Sequence, residues 1–190
     1  MNPLSQNTKR TKRVTIGAGI LAMLLLLGAG ITWWTQTAPE KPSEWQEGKA
    51  NLGAADTFSE EYTNTQYGFS VSYPQSFEVG ELEQGQGTSV VFQNPDIKQG
   101  VQIYIKPINK DIRLTKETLR EELTDMKPSD IRQTTVASTD KAVTFEAESE
   151  AFGKSRETWF IEDKTLYQLS TYREQSELLE KMVKTWRFRE

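Results

Sequence analysis

The sequence predicts an α+β domain: an antiparallel β-sheet flanked by helices, preceded by one N-terminal transmembrane helix and a flexible tether. Three observations carry this. Residues 14–34 hold no charged side chain. From residue 66 onward, short apolar segments of period two alternate with turn residues, the mark of strands. Two further segments space their apolar side chains three and four apart, the mark of amphipathic helices. The chain then divides into 1–13, a basic cytoplasmic segment; 14–34, the transmembrane helix; 35–65, a flexible linker; and 66–190, the folded domain.

The N-terminal helix comes first. Its 21 residues run VTIGAGILAMLLLLGAGITWW. As a helix they span roughly 31 Å, at about 1.5 Å per residue, which matches a hydrocarbon core of about 30 Å. A helix satisfies its own backbone hydrogen bonds where water is absent. Lys9, Arg10, Lys12 and Arg13 precede the span, and no acid occurs before residue 35. Positive flanks stay inside, so the N-terminus is expected in the cytoplasm and the rest outside a bacterial plasma membrane. Trp33 and Trp34 fall at the far interface, where indoles prefer to sit. The expected membrane-interface residues are therefore Lys9, Arg10, Lys12, Arg13, Trp33 and Trp34, and the lipid bilayer is the expected partner of residues 14–34.

A cleavable signal peptide is the competing reading, and it leads to a secreted form. The span exceeds a usual apolar region of about 7–15 residues. The small-x-small triplet Gly28-Ala29-Gly30 lies inside the apolar stretch, and Ala38 is followed by Pro39 with Gln36 two residues before it. Both features favour an uncleaved anchor, and either reading delivers the rest of the chain across the membrane. Residues 35–65 mix Pro, Glu, Ser, Gly and Ala around a few bulky groups, Trp45, Leu52 and Phe58. Such a composition buries too little surface to offset chain entropy, so it reads as a tether.

Within the domain, Phe69, Val71 and Tyr73 alternate with Ser70 and Ser72, and Pro74 ends that strand. A second strand is expected at 88–93, between Gly-Gln-Gly and the turn Asn94-Pro95-Asp96. A third, at 101–106, puts Val101, Ile103 and Ile105 on one face. Thr115 is the expected N-cap of a helix carrying Leu119, Leu123 and Met126, closed by Pro128. Strands follow at 131–136 and 142–148. In the second, Val143, Phe145 and Ala147 face one way, and Glu146, Glu148 and Glu150 the other. Strands at 155–161 and 165–172 are joined through Glu162-Asp163-Lys164 as a hairpin. A last helix at 175–185, capped by Ser176, turns Leu178, Leu179, Met182 and Val183 inward. Trp186 and Phe188 complete the expected core. Short hairpins imply antiparallel pairing, and the helical stripes must bury against sheet faces.

The segment Tyr67-Gly68-Phe69-Ser70-Val71-Ser72-Tyr73-Pro74, followed by Phe77, resembles the opening strand of PsbP-like domains. The segment Met182-Val183-Lys184-Thr185-Trp186-Arg187-Phe188 is similar to that family's closing helix and tail, with Thr185 and Trp186 where Ser and Phe are usual. The two motifs frame nearly the whole domain, while the middle matches only in its order of elements. The resemblance is to the PsbP/DcrB-like α-β-α sandwich, in the guise of a membrane-anchored bacterial member. It implies an antiparallel sheet between helices and fixes no activity, since one fold hosts many functions.

Composition excludes several chemistries. The chain has no Cys and no His. Disulfides, thiolate nucleophiles, His bases and His or Cys metal ligands are absent. The His-bearing metal sites of some relatives therefore do not carry over, nor does a lipoprotein Cys. With 23 basic and 27 acidic residues the chain lacks a nucleic-acid footprint. No P-loop, dinucleotide fingerprint or nucleophile elbow occurs. Glu146 and Glu148 share a strand face roughly 7 Å apart, the material of a carboxylate-based hydrolase. The same alternation describes any solvated sheet face, which is the simpler reading. Glu78, Glu81 and Glu83, beside Gly80 and Gly85, form an acidic run without EF-hand spacing; calcium is the question it raises and a wet loop the simpler answer. The bases of the last forty residues are interleaved with nearly as many acids, as on a mixed solvated surface. The expectation is a non-catalytic extracytoplasmic module, without cofactor, that binds another envelope protein.

Overall fold

The structure, a computed structural model, describes residues 57–108, 112–123, 126–150 and 153–189. Ten strands and two helices make up these residues. The strands are β1 (Glu60–Asn64), β2 (Phe69–Tyr73), β3 (Glu78–Gln84), β4 (Gly87–Asn94), β5 (Gln99–Pro107), β6 (Lys127–Val136), β7 (Thr139–Ser149), β8 (Gly153–Glu162), β9 (Thr165–Tyr172) and β10 (Arg187–Phe188). The helices are α1 (Lys116–Glu122) and α2 (Ser176–Thr185). A wide sheet has the order β3-β4-β5-β9-β8-β7-β6, and a small one the order β1-β2-β10. Every pairing is antiparallel.

Both faces of the wide sheet are covered, so its strands bury residues on both sides. On one face Val90, Phe92, Ile103, Ile105, Phe160, Tyr167 and Leu169 meet Phe69 and Val71 of β2 and Leu178, Leu179 and Met182 of α2. On the other, Val143, Phe145, Ala147, Trp159, Ile161 and Leu166 meet Leu114, Leu119 and Leu123 at α1. The expected antiparallel sheet is present and a helix lies against each face. The first flank is shared, however: the small sheet occupies much of it, and the sequence reading has no counterpart for that.

Two strands correct the linker and the acidic loop. Residues 60–64 end the expected linker, yet they pair with β2 from Glu60↔Tyr73 to Asn64↔Phe69. Tyr62 explains why: its ring packs edge-on to Phe92 at 5.5 Å and near Phe69 at 6.0 Å. Residues 78–84 form β3, paired in register with β4. As an edge strand it needs only one apolar contact, supplied by Val79, so its carboxylates can stay wet. Residues 35–56 of the expected linker, the transmembrane helix and the basic segment lie outside the described residues.

Two boundaries also move. Helix α1 ends with Leu123 as C-cap, before Met126 and Pro128. Pro128 sits in β6 opposite Ala147, on an edge strand where a missing N–H leaves no ladder bond broken. Ser176 is the first residue of α2; Gln175 holds the N-cap position, after a 3₁₀ turn at Arg173–Gln175. The Ser176 hydroxyl donates back to the Arg173 carbonyl, and so belongs to that turn.

Thr115 caps α1 as expected: its Oγ1 accepts from the Thr118 amide at 3.2 Å. Thr115→Ala leaves that donor without its partner and is expected to cost about 1 kcal/mol in urea unfolding. An unchanged midpoint would mean the cap contributes nothing. Gly68 and Gly87 show two different reasons for a glycine. Gly68 has φ +64° in the β1–β2 hairpin, a conformation that side chains resist, and its carbonyl accepts from the Arg189 amide at 2.8 Å. Gly87 makes room for β5: a Cβ there meets the Ile105 carbonyl oxygen at 2.3 Å and the Tyr104 ring at 3.0 Å.

Candidate functional site

The interface residues Lys9, Arg10, Lys12, Arg13, Trp33 and Trp34 lie outside the described residues. Among the described residues no helix is long and apolar enough to cross a membrane.

Each of the two candidate carboxylates lies opposite a base. Glu146 is half-buried on the α2 side of the wide sheet and accepts from Arg173 Nε at 3.1 Å. It lies opposite Arg156 on β8, which approaches Asp130 and Glu180 at 3.8 Å each. Glu148 is exposed and lies opposite Lys154. Each carboxylate thus has a base as its cross-strand neighbour, an arrangement that neutralises both.

The acidic run is similarly dispersed. Glu81 accepts the Tyr62 hydroxyl at 2.7 Å, and Glu83 accepts the Thr88 hydroxyl at 3.1 Å. Burial, then the bond to Glu81, pushes the Tyr62 hydroxyl well above its ordinary range, so Tyr62 remains a donor. Among the described residues no three acidic, His or Cys side chains gather as metal ligands.

A polar cluster missed by the sequence reading occupies the α1-side face of the wide sheet. The pairing register builds it. One row across the sheet reads Phe145, Glu157, Ser170, Gln102 and Val91. The next reads Val143, Trp159, Gln168, Tyr104 and Ser89. All ten are buried, including the polar Glu157, Ser170, Gln102, Gln168 and Ser89. Apolar packing under α1 stops at Trp159 and Leu166; Tyr104 and Val91, though buried, fall within neither apolar cluster described above.

Within this patch the polar groups are unequally served. Glu157 is 1% exposed and accepts from the Ser155 hydroxyl at 2.7 Å and from Trp159 Nε1 at 3.2 Å. Burial pushes its carboxyl up to about 7, against the pull of those two hydrogen bonds. Gln102 Nε2 donates to Ser89 Oγ at 3.2 Å. Gln168, 2% exposed, has neither amide atom in a hydrogen bond. Gln175 shows what a buried glutamine ordinarily does: its amide donates to the Lys98 carbonyl and accepts from the Gly100 amide. The sequence did carry a signal for the patch. Glu157 falls in step with Trp159 and Ile161, an acid on an inward-facing register.

No family model matches the chain, and no curated protein does. Among solved structures the chain is similar to the solution structure of cyanobacterial PsbP (CyanoP) from Synechocystis sp. PCC 6803. The identity is 13% and the TM-score 0.48, over 72% of this chain and 96% of that one. It is also similar to a crystal structure from Bacteroides thetaiotaomicron VPI-5482, at 15% identity and TM-score 0.48, over 70% of this chain but only 50% of that one.

Proposed function

We propose that the chain is a membrane-anchored extracytoplasmic binding module of the PsbP-like kind, without catalysis of its own, which presents its domain to another envelope protein. The observation that carries this reading is the charge-free segment 14–34 behind Lys9, Arg10, Lys12 and Arg13. A segment of that length and composition partitions into a bilayer, and its flanking bases set the orientation. Residues 35–59 then separate the span from β1. As coil they reach a root-mean-square distance of about 25–30 Å, enough to place the domain beside a neighbour in the same membrane. The pairing of Glu146 with Arg173 and the position of Glu148 opposite Lys154 support a binding role over carboxylate hydrolysis.

Membrane fractionation tests the anchor. The full chain is expected to stay in the pellet after a carbonate wash. Protease added to intact spheroplasts is expected to digest the domain while sparing a short N-terminal fragment. Full-length chain in the carbonate supernatant sinks the anchor. A mature N-terminus beyond residue 28 replaces it with the secreted form. Crosslinking in native membranes then identifies the neighbour, and a domain that crosslinks to nothing removes the binding role.

A further inference from the structure

We propose that the polar patch on the α1-side face of the wide sheet is a binding site for a ligand with an amide-like edge, one hydrogen-bond donor beside one acceptor, with Gln168 as its main partner. This inference stands apart from the anchoring proposed above and survives its failure.

Gln168 carries the argument. It is 2% exposed, and both its Nε2 and its Oε1 lack a partner. An unserved buried polar atom costs roughly 1–3 kcal/mol, and native proteins satisfy the great majority of such atoms. Two orphans on one side chain mark a position where stability alone favours a different residue. Leu166, two positions earlier on the same face, shows that the sheet accepts a large aliphatic group there.

The neighbours do not serve Gln168. By register it lies between Trp159 on β8 and Tyr104 on β5. Glu157 is already bonded to Ser155 and Trp159, and Gln102 reaches Ser89. A buried carboxamide with one donor and one acceptor free is the complement of another amide edge. A cation would serve only Oε1 and an anion only Nε2, so neither fits as well. Ser170, cross-strand from Glu157, and Glu157 itself lie one residue pair away and extend the polar rim.

The test uses the full chain in detergent, with its glutamines labelled with nitrogen-15 and the Gln168 side-chain resonance identified through Gln168→Met. The probes are acetamide and the blocked dipeptide N-acetylglycine methylamide. The Gln168 amide pair is expected to shift saturably, with a Kd of about 1–10 mM for so small a probe. Binding, followed on neighbouring backbone resonances, is expected to vanish in Gln168→Met while that variant melts no lower than the parent. Saturation by acetamide alone indicates a small-molecule ligand; tighter binding of the dipeptide indicates a peptide. No saturable shift by about 100 mM, well above that expected Kd, leaves only ordered water on Gln168 and overturns the proposal. Saturable binding that persists in Gln168→Met overturns it too, because the site then lies elsewhere. Should that variant fail to fold, Ser170→Ala is expected to weaken the wild-type shift severalfold, and unchanged affinity overturns the proposal.

Discussion

Trp186→Ala is expected to destabilise the chain by about 3–5 kcal/mol in urea unfolding, the range for a large buried aromatic. Trp186 is 2% exposed and stacks on Phe69 with ring centroids 4.1 Å apart and an interplanar angle of 12°. It meets Phe160 edge-on at 5.1 Å and Tyr167 at 5.5 Å. One ring therefore touches the small sheet through β2 and the wide sheet through β8 and β9. It also stands at the C-cap of α2, where its amide donates to the Val183 carbonyl. Removing it leaves a void between layers that rigid strands close poorly. The indole N–H has no partner, so a Trp of this kind stores an unserved donor. That separates two variants: Trp186→Phe keeps the stack and discards the donor, and is expected to cost about 1–2 kcal/mol, well below the alanine variant. Equal losses in both variants would mean that packing on Phe69 is not what holds the ring.

The same region shows why the ends of the domain were legible. Phe69, Val71, Leu178, Leu179, Met182 and Trp186 are apolar at strand or helix spacing, and all are buried in one cluster. The closing motif has a structural reason as well. Thr185 Oγ1 accepts from the Ser72 amide at 2.9 Å and donates to the Met182 carbonyl at 2.8 Å, tying α2 to β2. A hydroxyl at that position serves the joint, and either Ser or Thr supplies it. The β8–β9 hairpin was legible because its strands are long. Its two turn residues, Asp163 and Lys164, both adopt positive φ, at 44° and 57°. Paired positive values of this kind suit the twist of a tight hairpin.

What was not legible belongs to edges and to polar groups inside. Edge strands β1 and β3 need backbone pairing on one side and a single apolar contact, so they do not alternate visibly. On β6 the ladder is interrupted between Ser129 and Arg132, where Asp130 has φ 48° and its carboxylate contacts Arg132 at 2.8 Å. Nothing in the local sequence distinguishes such a bulge from a turn. Of the patch around Gln168 only Glu157 was legible; the rest was hidden for another reason. Its members come from β4, β5, β8 and β9, and only the strand order brings them side by side. The candidate carboxylates show the converse: Glu146 and Glu148 were placed on the right face, but the bases opposite them came from another strand.

Glu157→Gln is expected to stabilise the chain relative to the parent by about 3 kcal/mol more at pH 8 than at pH 4.5. Burial raises the folded carboxyl to about 7, whereas the unfolded carboxyl stays near its ordinary 4.5. Between those values the folded state holds a proton that the unfolded state has released. Stability therefore falls as pH rises through this window, and above about pH 7 the full loss persists. The exposed ion pairs, such as Asp130 with Arg132, act with the opposite slope at lower pH and contribute little. They are also common to both chains, so the difference between variant and parent isolates Glu157. The substitution is shaped for the purpose. A carboxamide with its oxygen toward Trp159 Nε1 and its nitrogen toward Ser155 Oγ reproduces the protonated acid, which explains why the two chains converge at low pH. Urea unfolding at a series of pH values, followed by circular dichroism, reads the difference. A gap that stays constant from pH 4.5 to 8 would place the Glu157 carboxyl in water, and the buried polar patch would lose its central member.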